Sequence, residues 1–247
     1  MLEDVSSWPK HFSNVVSFFG PSSMDLEANV RESANYAANV ARDLGRLILL
    51  VVLSVVPIVN LIVIGYFVRV IEGSPRARDP PPLREFGETW FRGLRVAIVV
   101  VLYLIIPIII FGMGWFAVWN PREWMPPMGF HFGLIARLGA LAVLGLIITF
   151  LVSVIMFMAV VHMIKTGDFG RAFDLRAILG IISGIGYGKY FLWVVIIALV
   201  ALIIAAISSI PVLGWLISLV LSPLFGVFVS RSASQLYAEG RRASSRS

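Results

Sequence analysis

Four stretches of this chain carry no charged residue and are almost wholly apolar: residues 47–68, 96–119, 138–161 and 190–230. Such a run suits the roughly 30 Å hydrocarbon core of a bilayer, where only helices or closed barrels keep every backbone group hydrogen-bonded. Each of the first three is one helix long, but the fourth would measure about 60 Å as a single helix. Ser208, Ser209, Pro211 and Gly214 supply a break inside it, because proline lacks an amide hydrogen and serine and glycine favour turns. The reading is an all-α fold, a polytopic membrane helical bundle of about five transmembrane helices, with a tight hairpin between the fourth and fifth.

One point inside the first run stays open. Ser54-Val55-Val56-Pro57-Ile58-Val59-Asn60 resembles Ser208-Ser209-Ile210-Pro211-Val212-Leu213-Gly214 at the later hairpin. Pro57 therefore either kinks one spanning helix or turns the chain back as a re-entrant pair, which would move the N-terminal segment to the other side. Halves of about fourteen residues reach only about 21 Å, too short to cross, so the kinked single helix is preferred.

Composition agrees: 59% of the 247 residues are apolar, 14% are charged and the mean hydropathy is +0.91. Soluble domains have roughly 45–50% apolar and 25% charged residues, so a soluble enzyme is excluded. The chain has no cysteine, which removes disulfide scaffolds, thiolate catalysis and thiolate metal sites. Basic residues collect beside the spans. Residues 69–95 hold six arginines against four acids, residues 165–190 four basic against two acidic, and residues 231–247 four against one. Basic loops are retained in the cytoplasm, so a five-span chain places these three segments and the C-terminus inside and the N-terminus outside, in the cell membrane. Topology thus accounts for the net charge of +6, and nucleic acid need not be invoked as a partner.

The polar segments suggest helices lying on the membrane. Between residues 83 and 95, Leu83, Phe86, Trp90 and Leu94 share one face while Arg84, Glu85, Glu88, Arg92 and Arg95 occupy the rest, the pattern of an interfacial amphipathic helix. A second candidate covers residues 168–182, with Phe169, Phe173, Ile178 and Ile182 as its apolar side. The order span, basic turn, surface helix, span thus occurs twice in one direction, as in a parallel internal repeat or as chance likeness between apolar segments. Phe86 and Trp90 on one side, with Trp119 and Trp124 on the other, are the expected interfacial anchors. Before the first span, residues 25–44 predict a polar helix with Leu26, Val30, Ala34, Ala37 and Ala41 along one side. The domain reading is an amphipathic and polar extension (1–46), a transmembrane helical domain (47–237) and a basic tail (238–247).

Gly214, Ser218, Ser222, Gly226, Ser230, Ser234 and Ala238 put a small residue at every fourth position, which lets helix backbones approach closely. The first five are the expected packing face, either within the chain against Ala198, Ala201, Ala205 and Ser208 or against another subunit. Asn60, Tyr66 and Tyr103 are the candidate polar lining of a path, with bonding between helices as the plainer alternative. His11, His131 and His162 fall on different sides of a five-span chain and form no metal site. The glycine-rich run 184–190 fails the phosphate-loop template, with Ser183 at the first glycine and Tyr190 where serine or threonine is required. No residue set fits nucleophile, base and oxyanion roles, so neither catalysis nor a cofactor is expected.

At Pro57-Ile58-Val59-Asn60, Gly65-Tyr66-Phe67-Val68-Arg69-Val70-Ile71, residues 83–93, Tyr103-Leu104-Ile105-Ile106-Pro107 and Ala172-Phe173-Asp174-Leu175-Arg176, the chain resembles a family. It is similar, over about residues 47–237, to the polytopic prokaryotic and mainly archaeal membrane proteins grouped as domain of unknown function 4013. That resemblance implies the order of spans and surface helices and carries no known activity. The expected function is a non-catalytic accessory or structural subunit in the bilayer, packing against other membrane subunits or its own copies. The alternative is a transporter of small molecules or lipids, or another lipid-handling membrane protein.

Overall fold

The computed structural model describes residues 26–119 and 132–245, all its regular elements there being helical. In chain order they are α1 (Leu26–Arg42), α2 (Leu44–Val55), α3 (Asn60–Gly73), α4 (Phe86–Trp119), α5 (Phe132–Thr166), a 3₁₀ turn (Phe169–Phe173), α6 (Leu175–Ile185), α7 (Tyr187–Ser208) and α8 (Leu213–Ser244). Four of these, α4, α5, α7 and α8, are long and apolar enough to cross a membrane.

The fifth expected span does not form, because the chain turns back at Pro57. Residues 56–59 form a turn, and Arg46 near the start of α2 donates to the Pro80 carbonyl, beyond the end of α3, at 3.3 Å. α2 and α3 are thus a re-entrant pair, at 12 and 14 residues each too short to cross. Contacts far along the chain hold the reversal. Trp90 Nε1 donates to the Ile58 carbonyl at the tip at 2.9 Å, and Lys165 and Ser234 donate to carbonyls at the end of α3. Ile48, Val52, Val55 and Ile58 are exposed along the hairpin, an apolar surface suited to lipid.

α1 packs on the C-terminal half of α8. Asn29 Nδ2 donates to the Ser232 carbonyl at 3.3 Å, and the buried Arg231 pairs with Glu32 at 2.6 Å. α1 and the end of α8 therefore lie at the same end of the bundle, as a four-span chain requires. The buried face of α1 is Asn29, Ser33, Tyr36, Ala37 and Val40, one residue around from the predicted apolar stripe. The rotation follows from chemistry: α8 offers the carbonyl and hydroxyl of Ser232, and polar Asn29 turns toward them.

The predicted surface helix at 83–95 also takes another form. It is the beginning of α4, which runs unbroken from Phe86 for 34 residues. Across 168–182 the chain does make a separate piece. Asp168 caps the 3₁₀ turn, and Asp174 caps α6 by accepting from the Ala177 amide at 3.1 Å. That amide, together with the Arg171 guanidinium, holds the Asp174 carboxyl below its ordinary range. The two predicted repeat units are accordingly unlike: one opens with a re-entrant helix and merges its surface segment into the span, while the other opens with a full span and keeps α6 apart. α8 continues to Ser244, so the boundary expected at 238 falls inside a helix.

The core sits at the end of the bundle where α1, α6 and the loop after α3 gather. Trp193, Tyr190, Met158, Ile178 and Leu236 are almost fully buried there. Toward the other end the spans present Val101, Ile105, Leu146, Leu202 and Leu216 outward, an apolar surface suited to a bilayer. The chain has no native cysteine, so single cysteines report topology without background. Ala38→Cys, Arg78→Cys and Ser245→Cys, all at exposed positions, should label together from one side of oriented vesicles with an impermeant maleimide. Labelling of Ala38→Cys from the side opposite to Ser245→Cys would restore a fifth span.

Candidate functional site

α3 is pressed against α4 where two glycines face each other's backbone. A Cβ on Gly65 would overlap the Thr89 carbonyl, and one on Gly93 would overlap the Leu61 carbonyl. Its end is closed by the Lys165 ammonium, which donates to the carbonyls of Ile71 at 2.5 Å and of Ser74, a cation where the helix dipole is negative. So fixed, α3 forms one wall of a cleft whose other walls are α4, α5, α7 and α8.

The middle of the cleft is an apolar chamber of about 270 Å³, lined among others by Ile64, Phe67, Val100, Phe157, Val160 and Val229. These side chains pack against the core yet are only partly buried, so the chamber opens to the outside of the bundle. Val68, Val96 and Ile164 belong both to it and to a charged mouth of about 230 Å³ that holds Glu72, Glu88, Arg92, Arg95, Phe91 and Phe169. In the mouth Arg92 pairs with Glu88 at 2.6 Å and with Glu72, and nearby Arg69 pairs with Glu85 at 2.5 Å. Arg95, exposed one turn further along α4, has no carboxylate in pairing distance among the described residues. At the opposite end, Ile64 and Phe67 are shared with a third pocket of about 360 Å³ beside the hairpin tip, lined by Ser54, Asn60, Trp215, Ser218 and Ser222. Charged mouth, apolar chamber and hydroxyl-lined end thus follow one another along α3.

The small-residue row splits between two neighbours. Gly214 lies against the Ile207 carbonyl and Ser218 Oγ bonds to Ser208 Oγ, both on α7. Ser222 lines the third pocket, Gly226 faces the Phe67 ring, Ser230 returns its hydroxyl to the Gly226 carbonyl at 2.7 Å, and Ser234 reaches the end of α3. A period of four drifts by about 40° at each step, so the row winds from α7 to α3. Of the helix rows paired in the sequence reading, Ser208 alone has a side-chain bond to the row; Ala198 and Ala205 are exposed.

Asn60, Tyr66 and Tyr103 are not brought together. Asn60 is in the third pocket and Tyr66 is fully buried with Arg46 as its main charged neighbour. Tyr103 donates to the Ala172 carbonyl at 2.7 Å and stacks on Phe173, which fastens the 3₁₀ turn to α4. Phe86 is exposed at the start of α4, and Trp90 is bonded to the hairpin tip. Trp119 ends α4; its side chain, like all of Trp124, His11 and His131, lies outside the described residues. His162 is buried, with Nδ1 2.9 Å from the Tyr237 hydroxyl.

Sequence reasoning missed Arg95, Lys165, Arg231 and the buried pair Lys189–Glu239 at 2.5 Å. Arg95 and Arg231 are each the charge next to an apolar run, a visible signal of headgroup depth. Which of them would find a partner was not visible. Gly65 and Gly93 were visible too, as lone glycines in apolar or amphipathic helices, a signal for close backbone approach.

These features define an all-helical membrane protein with an amphipathic cleft. The family model described as Protein of unknown function (DUF4013) matches residues 49–213, and the chain belongs to that family. No curated protein and no solved structure matches it.

Proposed function

We propose that this protein is a non-catalytic, lipid-handling membrane protein that takes a hydrocarbon chain of a bilayer amphiphile into the cleft beside α3. One observation carries the reading: the apolar chamber adjoins a charged mouth at the point where α4 passes from charged to wholly apolar sequence. Ligand sites are concave and mostly apolar, with a few placed polar groups, and this cleft has that composition. An accessory subunit would use the small-residue row or the N-terminal helix to hold a partner chain. In this fold the row packs on α7 and α3 and α1 packs on α8, so neither feature requires a partner chain. The basic segments at 69–95, 165–190 and 231–245 share one end of the bundle, which by the positive-inside tendency we place in the cytoplasm.

The test is retention of lipid by the purified full chain, counted by native mass spectrometry after equilibration with a diacyl lipid in mild detergent. Val160→Trp fills the chamber and should lower occupancy about tenfold, a change of about 1.4 kcal/mol. Val100→Phe, from the opposite wall, should do the same, while Val143→Trp on the exposed face of α5 should leave occupancy unchanged. Equal occupancy in all three folded variants would defeat the proposal.

A further inference from the structure

We infer that the mouth of the cleft selects amphiphiles carrying a phosphodiester headgroup, and that Arg95 is the side chain that binds the phosphate; this rests on the lipid-handling reading. The basic groups around the mouth differ in what they already hold. Arg92 is held by Glu72 and Glu88, Arg69 by Glu85, and Lys165 by the carbonyls of Ile71 and Ser74. Arg95 is the mouth's remaining cation and has no carboxylate in pairing distance among the described residues. Within the mouth two arginines balance two glutamates, and the Lys165 ammonium, 3.5 Å from the Glu72 carbonyl, tips the surroundings positive. A single negative charge therefore completes the site, and a phosphodiester supplies one.

Depth and shape agree with that charge. Arg95 is the last charged residue before the apolar run 96–119, so its guanidinium lies at the level of headgroups while its stem lies along apolar surface. A planar guanidinium matches two phosphate oxygens with a fixed fork of donors, where an ammonium acts as a point charge. Phe91 and Phe169 flank the same mouth, and Val68, Val96 and Ile164 lead from it into the apolar chamber. A phosphate on Arg95 would thus leave its attached chain facing the chamber. A free anion has no use for that second half, so the occupant is a phospholipid.

The experiment offers the purified full chain equal amounts of phosphatidylglycerol and diacylglycerol with identical acyl chains, and counts both bound species by native mass spectrometry. Wild type should prefer the phospholipid by about tenfold, in line with a hydrogen bond to a charged group. Arg95→Gln should bring the ratio near one with total lipid bound unchanged, and Arg95→Lys should keep part of the preference. Arg176→Gln, an exposed arginine outside the mouth, should keep all of it. A preference untouched by Arg95→Gln, while Val160→Trp still removes both lipids, would overturn the phosphate assignment and leave the lipid reading standing. Failure of Val160→Trp and Val100→Phe alike to remove either lipid would overturn both. Binding of chain-free glycerophosphate as tightly as the phospholipid would overturn the assignment to a lipid.

Discussion

Gly93→Ala should be among the most damaging single-methyl additions to this protein, costing about 3 kcal/mol, the upper end for overpacking. The added carbon would overlap the Leu61 carbonyl and crowd the Gly65 amide, both backbone atoms that no rotamer change can move aside. Gly65→Ala meets the Thr89 carbonyl from the other side of the same crossing and should cost a similar amount. For a chain of this size each kcal/mol moves the melting temperature by roughly 2–4 °C, so each variant should melt about 6–12 °C lower. It should also lose lipid, because α3 walls the cleft. The same change at Gly87 or Gly112, where nothing beyond the adjoining turns of the same helix lies within 4 Å of the new carbon, should be neutral or slightly stabilising through helix propensity. Thermal melts of the four variants in one detergent check the prediction. If Gly93→Ala melts with Gly112→Ala, α3 does not cross α4 at this point.

The second large effect belongs to Arg231. Its side chain is 4% exposed and donates to the Ala77 carbonyl at 2.8 Å, to the Pro75 carbonyl at 3.0 Å and to Ser74 Oγ at 3.2 Å. It also pairs with Glu32 and lies 4.7 Å from the centre of the Tyr36 ring. One guanidinium therefore joins α8, the loop after α3 and α1. Breaking a buried charged network by removing one partner costs about 3–5 kcal/mol, because the remaining groups lose their bonds without regaining water. The exposure of Glu32 lets that carboxylate recover some solvation and sets the expectation for Arg231→Leu near the lower figure. α1 should then detach, which limited trypsin digestion reads as faster cleavage at Arg42 and Arg46. Arg242→Leu, at an exposed position one helix end away, should digest like wild type. Equal resistance of the two variants would mean that Arg231 does not fasten α1.

Both residues stand in plain view in the sequence, and neither effect could be read from it. A glycine in an apolar helix signals close approach without naming the neighbour, and Gly93 finds α3 only because the chain reverses at Pro57. An arginine at the edge of an apolar run signals the membrane surface, yet Arg231 becomes buried while Arg95 stays exposed. Their fates differ because α1 and the loop after α3 close over one, whereas the two carboxylates that line the mouth with the other are taken by Arg92.

What the sequence determined by itself is what depends on local composition: that the chain is helical and lives in a bilayer, where α4, α5, α7 and α8 lie, and that Pro211 and its neighbours end one span and begin the next. Length against bilayer thickness is enough for those conclusions. The re-entrant hairpin was decided by tertiary structure, since a proline permits a kink and a reversal alike. The choice falls to the glycine crossing with α4 and to Lys165 and Ser234 at the end of α3, groups 91 or more residues away from the carbonyls they hold. The cleft belongs to the same category. It exists because α3 stops short of crossing and leaves the partly buried faces of α4, α5 and α8 around it, a consequence of packing that no pattern along one helix encodes.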